Sequence, residues 1–369
     1  MSPRAVAFSL LGLLTVGWLA VWSSAGWVGE GSRQLSHIVI GLGLLGLCTH
    51  SRPLAIRWAA VPFYWACVLA LALVLLPGIG QTVNGSQRWL SLGPLGSWQP
   101  SEFSKLALIL ILARVYQGRP GRAPGWGSFL LAGGCTAIFF GLIAKQPDLG
   151  TALVLGAIFF GMSWVAGAPA LGLFGLVAGG LAAAPFVLHD YQKNRLLIFL
   201  HPETDPRGLG YHITQSQLAI GSGGLVGQGL GQGALSQNGF VPENWTDFVF
   251  SVIGEELGLL GSWGLLLLAG LLAAQLLRVT WHCKDRYEAL VSSGVCTLLG
   301  FQGLVNLSMT VGLAPVVGIP LPFCTYGGSA MLINLVAVGL IMGSSQAEST
   351  APKLQELLQQ TDPSRDVLA

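Results

Sequence analysis

Long apolar stretches alternate with short polar breaks along almost the whole chain. They fall near residues 5–23, 35–50, 56–77, 102–116, 128–145, 151–167, 170–188, 247–279, 287–312 and 328–345. Runs of about 17 to 25 apolar residues cross a hydrocarbon core as α-helix, and no ten-residue alternation of apolar and polar positions marks a membrane barrel. The pattern predicts an all-α polytopic integral membrane protein with about ten transmembrane helices. It groups residues 1–348 into a single domain and leaves a polar tail at 349–369, disordered or loosely helical. The first run, Ala5 to Ser23, follows Arg4 as in a signal peptide. Its end, WSSAGW, has no convincing small-x-small cleavage site, so it reads as a retained first helix. Two polar segments break the alternation. Residues 78–101 form one, and the other, from His189 to Thr246, is about 58 residues long, too polar to span and too long for a turn. This large loop between the seventh and eighth helices is where function is expected. Within it, YHITQSQLAI has Tyr211, Gln215, Leu218 and Ser222 at helical spacing, the pattern of a short amphipathic helix lying in the interface.

Composition agrees with that class: 52% of the 369 residues are hydrophobic and 9% are charged, against about 25% charged in soluble domains. A net charge of +2 indicates neither nucleic-acid binding nor strong attraction to anionic lipid. Position matters more. Arg52 and Arg57, then Arg114, Arg119 and Arg122, then Arg278, Lys284 and Arg286 fall in short loops on one side, which the positive-inside rule makes cytoplasmic. Both termini are then cytoplasmic, and the two long segments face the other side. The six cysteines show no CxxC spacing and read as packing residues; the six histidines form no HxxxH or HExxH pair. A tight transition-metal site is therefore unsupported, while a weaker Mg²⁺ or Mn²⁺ site on carboxylates stays open.

The candidate chemistry sits at helix ends. Asp247, Glu255 and Glu256 open the stretch TDFVFSVIGEELGLLGSWG, where ionised groups need a reason. If the helix begins at Asp247, then Ser251, Gly254, Gly258, Gly261 and Ser262 share its face, while Glu255 and Glu256 lie off it and serve the fold. Asp247 then needs a wet cavity complemented by Lys105, Lys145 or Arg88. In QPSEFSKL, Pro100 suits the first helical position, Glu102 the first turn, and Lys105 follows at i+3; the two form either a helix-end ion pair or an active-site pair. Lys145 and Asp148 flank Pro147 at a second such junction, and Arg88 lies beside the interfacial Trp89, with Trp98 nearby. The segment Gly221–Gly233, GSGGLVGQGLGQG, lacks the strand and βαβ setting of a nucleotide loop. Its glycines give either a flexible loop or backbone N–H groups for an anion. No organic cofactor is expected. GLAPVVGIPLPFCTYGGSA has too many prolines and glycines for a continuous span, so it reads as a re-entrant or rim loop buried in protein.

Six motifs occur in order: NGSQRWL, QPSEFSKL, KQPDLGTALV, ITQSQLAIGSGGLVGQGLGQG, PENWTDFVFSVIGEELGLLG and GLAPVVGIPLPFCTYGGSAML. Together they resemble the SEDS family of RodA, FtsW and SpoVE over nearly the whole chain to about residue 346. The short amino terminus suits its RodA branch better. The resemblance implies a peptidoglycan glycosyltransferase that polymerises lipid II into β-1,4 glycan at the outer face of the bacterial cytoplasmic membrane, for cell-wall elongation and rod shape. It implies a class B penicillin-binding protein as partner. It makes Asp247 of the TDF motif the essential residue and gives functional positions to Trp89, Glu102 and Lys105. An inverting transfer from an undecaprenyl-diphosphate donor needs a base, assigned to Asp247. It also needs cations for the leaving diphosphate: Lys105 with Lys145 or Arg88, alone or with a divalent ion on a carboxylate such as Glu102. Lys145 and Asp148 complete the expected substrate site. A lipid II flippase or other transporter is the competing class, since broken helices and intramembrane acids also mark substrate pathways. The absence of an internal repeat and the gathering of charge at the rim instead of the midplane argue against it.

Overall fold

The computed structural model describes residues 2–360 except 52, 84–85, 92–96, 119–122 and 189; at 27, 28, 53, 83, 187 and 345–360 only the backbone is described. Arg52, Arg119 and Arg122, three of the expected cytoplasmic residues, and the last part of the expected tail lie outside the described residues.

Every predicted span is helical: α1 (Pro3–Ala25), α2 (Ser32–Thr49), α3 (Pro53–Val74), α4 (Pro100–Tyr116), α5 (Trp126–Ala144), α6 (Leu149–Ala166) and α7 (Ala170–Val187) precede the long loop. The loop itself folds into α8 (Asp190–Leu200), α9 (Leu209–Ser222) and α10 (Ala234–Gln237) before α11 (Val249–His282), α12 (Arg286–Thr310) and α13 (Gly328–Gln360). The expected short helix forms as α9, with Gly210, Ile213, Ser216 and Ala219 on its buried face. Among the described residues, six helices, α1, α3, α5, α6, α11 and α12, are by themselves long and apolar enough to cross a bilayer; a seventh span arises if α7 and α8, bent by 100°, form one broken crossing. The chain is a multi-pass, helical membrane protein. α13 runs on to Gln360, eleven residues past the expected start of the tail.

Segment 78–101 holds something unforeseen. Three short antiparallel strands, β1 (Gly80–Val83), β2 (Ser86–Ser91) and β3 (Ser97–Trp98), form a small sheet with β2 in the middle. It pairs Gln81 with Trp89 and Leu90 with Trp98. The ladder satisfies the backbone donors and acceptors of SQRWLS from both sides.

The helix α4 is the axis of the bundle. It packs against α3, α5, α6, α12 and α13, and its residues from Pro100 to Ala113, apart from the half-buried Phe103, are buried. A helix enclosed on all sides carries apolar residues all round, as LALILILA does. Around it, α13 lies along α2 and α1 along α11. Arg57, on α3, donates two bonds to Asp285 at 2.7 and 2.8 Å, and Arg114, on α4, donates to the Arg57 carbonyl. These charges gather at the amino end of α12. Twenty residues on, about 30 Å along the axis at 1.5 Å per residue, lies Asn306 and the site.

Candidate functional site

Asp247 is not the first residue of its helix. α11 begins at Val249, and Asp247 belongs to the turn before it, where the Phe248 N–H donates to the Glu243 carbonyl at 3.1 Å. The expected stripe from Asp247 down the helix is therefore not formed, and a second fact removes it: at Gly258 the backbone turns to φ 66°, ψ −162°, breaking α11.

What holds Asp247 is the partly buried loop between α12 and α13, residues 311–327, with Leu313 and Gly318 exposed. Val316, Val317, Ile319, Leu321, Phe323 and Cys324 are all buried there. Asn306 on α12 donates both to the Asp247 carbonyl at 2.9 Å and to the Ile319 carbonyl at 2.8 Å, pinning turn and loop together. The Tyr326 N–H adds a bond to the Trp245 carbonyl at 2.9 Å. Gly318 forms the wall facing the carboxylate. Its φ is +72°, and a Cβ at that position would stand 3.3 Å from Asp247 Oδ2, so glycine serves here both for backbone sign and for space. The loop in turn rests on the start of α6, where a Cβ on Gly150 would meet the Val317 carbonyl at 2.7 Å.

Burial pushes the Asp247 carboxyl up to about 6, with the charges of Glu243 and Asp148 adding to the rise and that of Arg195 opposing it. Arg195 lies on α8, and its Nη1 donates to the Val316 carbonyl at 2.8 Å, two residues before Gly318. Arg195, Asn306 and Gly318 are the site residues that sequence reasoning missed. Asp148 caps α6, accepting from the Thr151 N–H at 3.0 Å and its hydroxyl at 2.9 Å, with Gln99 Nε2 at 3.4 Å and Arg88 Nη1 at 3.7 Å. Arg88, on β2, also donates to the carbonyls of Gln146 and Pro147 at 2.8 and 2.6 Å. Trp89 is half-buried beside it, and Lys145 is exposed at the end of α5.

Glu102 and Lys105 form the ion pair that their spacing allows, at 2.6 Å, and it is buried: 5% and 1% of their surfaces are exposed. Besides burial, the charges of Glu243, Arg195 and Asp148 act on Asp247; Arg88 pairs with Asp148, and Lys105 pairs with Glu102. The pair lies one turn below Gln99, whose N–H donates to Ser329 Oγ at 3.1 Å. Ser329 thus ties α13 to the start of α4.

Glu255 and Glu256 serve the fold. Glu255 accepts from the Leu235 and Ser236 N–H groups at 2.7 and 2.9 Å, capping α10, and Glu256 accepts from Ser23 and Gln237 at 2.5 and 3.0 Å. The glycine-rich segment after α9 is docked on the α11 break. Gln228 and Gly229 donate to the carbonyls of Glu255 and Glu256, while Leu259 and Leu260 donate to those of Gly224 and Leu225. A Cβ on Gly223 or Gly227 would collide with the carbonyl of Gly254 or Glu256. These glycines exist for close backbone approach, and the loop repairs the hydrogen bonds that the break releases.

Among the described residues no three His, Cys, Asp or Glu side chains gather to hold a metal ion, and an ammonium already occupies Glu102. The residues present do not fit a protein-caged cation. Beside the sheet, an apolar recess of about 260 Å³ opens between α3 and α4, lined by Phe63, Cys67, Leu90, Trp98 and Phe103.

Residues 4–350 match the FtsW/RodA/SpoVE family model, described as a cell cycle protein. A probable peptidoglycan glycosyltransferase FtsW from Trichlorobacter lovleyi is 37% identical over 330 residues, 87% of this chain and 84% of its own. The peptidoglycan glycosyltransferase MrdB of Escherichia coli K12 is also 37% identical, over 347 residues and 90% of each chain. Among solved structures, a chain described under structural coordination of polymerization and crosslinking by a peptidoglycan synthase complex superposes with a TM-score of 0.80 at 34% identity, covering 94% of this chain and 98% of that one. The rod shape determining protein RodA of Thermus thermophilus gives 0.70 at 33% identity, covering 92% and 95%.

Proposed function

The chain belongs to the FtsW, RodA and SpoVE family, and from that premise we propose that it is an inverting peptidoglycan glycosyltransferase, extending β-1,4 glycan from lipid II in cell-wall elongation. The acceptor 4-hydroxyl attacks the anomeric carbon of the donor. Its proton passes to the Asp247 carboxylate, the bond from that carbon to the diphosphate breaks, and the polyprenyl diphosphate leaves with the electron pair. One displacement inverts the configuration.

The observation that carries this reading is the state of Asp247. A carboxylate pushed up to about 6 is a better proton acceptor than an ordinary aspartate and remains ionised at neutral pH. The walls around it are fixed by Asn306 and the 311–327 loop, so the base is held in place before substrate arrives. Chains of the lipid-linked substrates lie in the bilayer, and the recess between α3 and α4 offers apolar surface beside the sheet.

Arg57, Arg114 and Asp285 cluster at the end of the bundle away from Asp247. With the positive-inside rule this supports a cytoplasmic position for that end and for both termini, with the site at the outer face of the cytoplasmic membrane. The peptidoglycan synthase complex among the solved structures supports a class B penicillin-binding protein as the partner that cross-links the product.

Purified full-length protein given lipid II tests the reading, with Asp247→Asn as control. Polymer from the wild type and none from the variant is expected. Undiminished polymer from the variant rules out the base, and lipid movement across liposomes without polymer replaces the enzyme with a flippase.

A further inference from the structure

Of the three cations named from sequence for the leaving diphosphate, two are otherwise engaged and the third lies exposed at a helix end. Lys105 is buried against Glu102 at 2.6 Å. Arg88 spends its donors on the carbonyls of Gln146 and Pro147 and its charge on Asp148. Lys145 is exposed at the end of α5. Arg195 differs from all three. Its Nη1 is bonded to the Val316 carbonyl at 2.8 Å, and the same loop, two residues on, presents Gly318 to Asp247 Oδ2. Among the described residues its guanidinium makes no other hydrogen bond, and the side chain is partly exposed. A guanidinium carries five N–H donors in a planar fork that matches two phosphate oxygens at once, so with one donor used for the loop, an edge remains for a ligand.

We propose that Arg195 is the binding residue for the diphosphate of the lipid-linked substrate, gripping it from α8 while its bond to Val316 holds the Gly318 wall against Asp247. The proposal rests on the glycosyltransferase reading for the identity of the substrate, but the chemistry recognised is the diphosphate itself. An arginine tied to a backbone carbonyl by one nitrogen is already oriented, so little rotamer freedom is lost when a phosphate docks on the other. The charge serves two ends. It attracts the diphosphate, and it opposes the rise that burial, Glu243 and Asp148 impose on Asp247.

The test titrates full-length protein in detergent with undecaprenyl diphosphate, inorganic diphosphate as competitor, and phosphatidylglycerol as the alternative phosphate source. Wild type should bind the lipid diphosphate and release it to inorganic diphosphate, while phosphatidylglycerol at equal concentration does not compete. Arg195→Gln should bind at least tenfold more weakly. Arg195→Lys keeps charge and a donor for Val316 but loses the fork, so it should fall between the two and melt as wild type does. In polymerisation assays Arg195→Gln should raise KM about tenfold and move the acid limb of the pH profile upward, because the charge opposing Glu243 and Asp148 is gone. A residue that only held the loop would lower the rate equally at every pH. Affinity within twofold of wild type in Arg195→Gln overturns the proposal, as does equal competition by phosphatidylglycerol. If Arg195→Gln does not fold, Arg195→Lys decides: unchanged affinity for inorganic diphosphate overturns the two-oxygen grip. A wild type that binds the diphosphate lipid but makes no polymer sinks the enzyme reading alone.

Discussion

Asp247 is raised because ionising it where water is largely excluded, with Glu243 and Asp148 near, costs more than in bulk water. Its folded pKa exceeds the ordinary value, so between about 3.8 and 6 the folded state holds the proton more tightly than the unfolded chain, and stability falls as pH rises through that window. At neutral pH the penalty is fully present. Asp247→Asn should therefore lose glycan synthesis while melting at or above the wild-type temperature at pH 7.5. A melt several degrees lower would show that the carboxylate holds the fold. The rate of the wild type should climb as pH passes about 6 and then level off, read from initial rates of polymer formation. The Glu102–Lys105 pair has the opposite character. Removing one partner leaves a buried charge unpaired, at about 3–5 kcal/mol, whereas removing both leaves none. Glu102→Gln and Lys105→Met should each destabilise strongly, and the double variant should recover most of the loss in a denaturation-based double-mutant cycle.

At the scale of elements, the glycine-rich segment and the broken helix α11 are two halves of one structure. Four backbone bonds cross between them, and Gly258 at φ 66° is where the ladder changes partners. Gly227→Ala should cost at least about 2 kcal/mol, since Gly227 sits at φ 83° and its new Cβ would meet the Glu256 carbonyl. Gly43, inside α2 with open space where a Cβ would go, should gain about 0.5–1 kcal/mol on the same change. Equal effects of the two in thermal melts would remove the argument from close approach. This junction also explains why helical periodicity misled along α11. A 3.6-residue wheel holds only while the backbone stays helical, and glycines such as Gly258 give no sign in sequence of whether they pack a straight helix or break one. The strands were more legible than the reading allowed, because Val83-Asn84-Gly85-Ser86 between two alternating runs is a strong hairpin signal, outweighed by a composition that spoke only of helices.

For the whole molecule, the ten apolar stretches were readable because bilayer thickness sets their length, and the burial of the proline-rich loop was readable because a broken backbone at that depth must find partners in protein. Arg195 was not. DYQKNRLL reads as polar loop, and nothing in it tells that α8 folds back over Val316, a contact 121 residues away. The orientation of the bundle can be checked directly: in a cysteine-depleted background, Lys145→Cys should react with an impermeant maleimide on intact spheroplasts, and His282→Cys, exposed at the other end, only after permeabilisation. Labelling in the reverse order would invert the site to the cytoplasm. Asn306 carries a last consequence. It grips residue 247 by the backbone carbonyl and the facing loop by another, so the place of the reacting group is set independently of which side chain stands there. Address and instrument are separate, and the same scaffold can be refitted at position 247 with a different functional group without having to learn again where to put it.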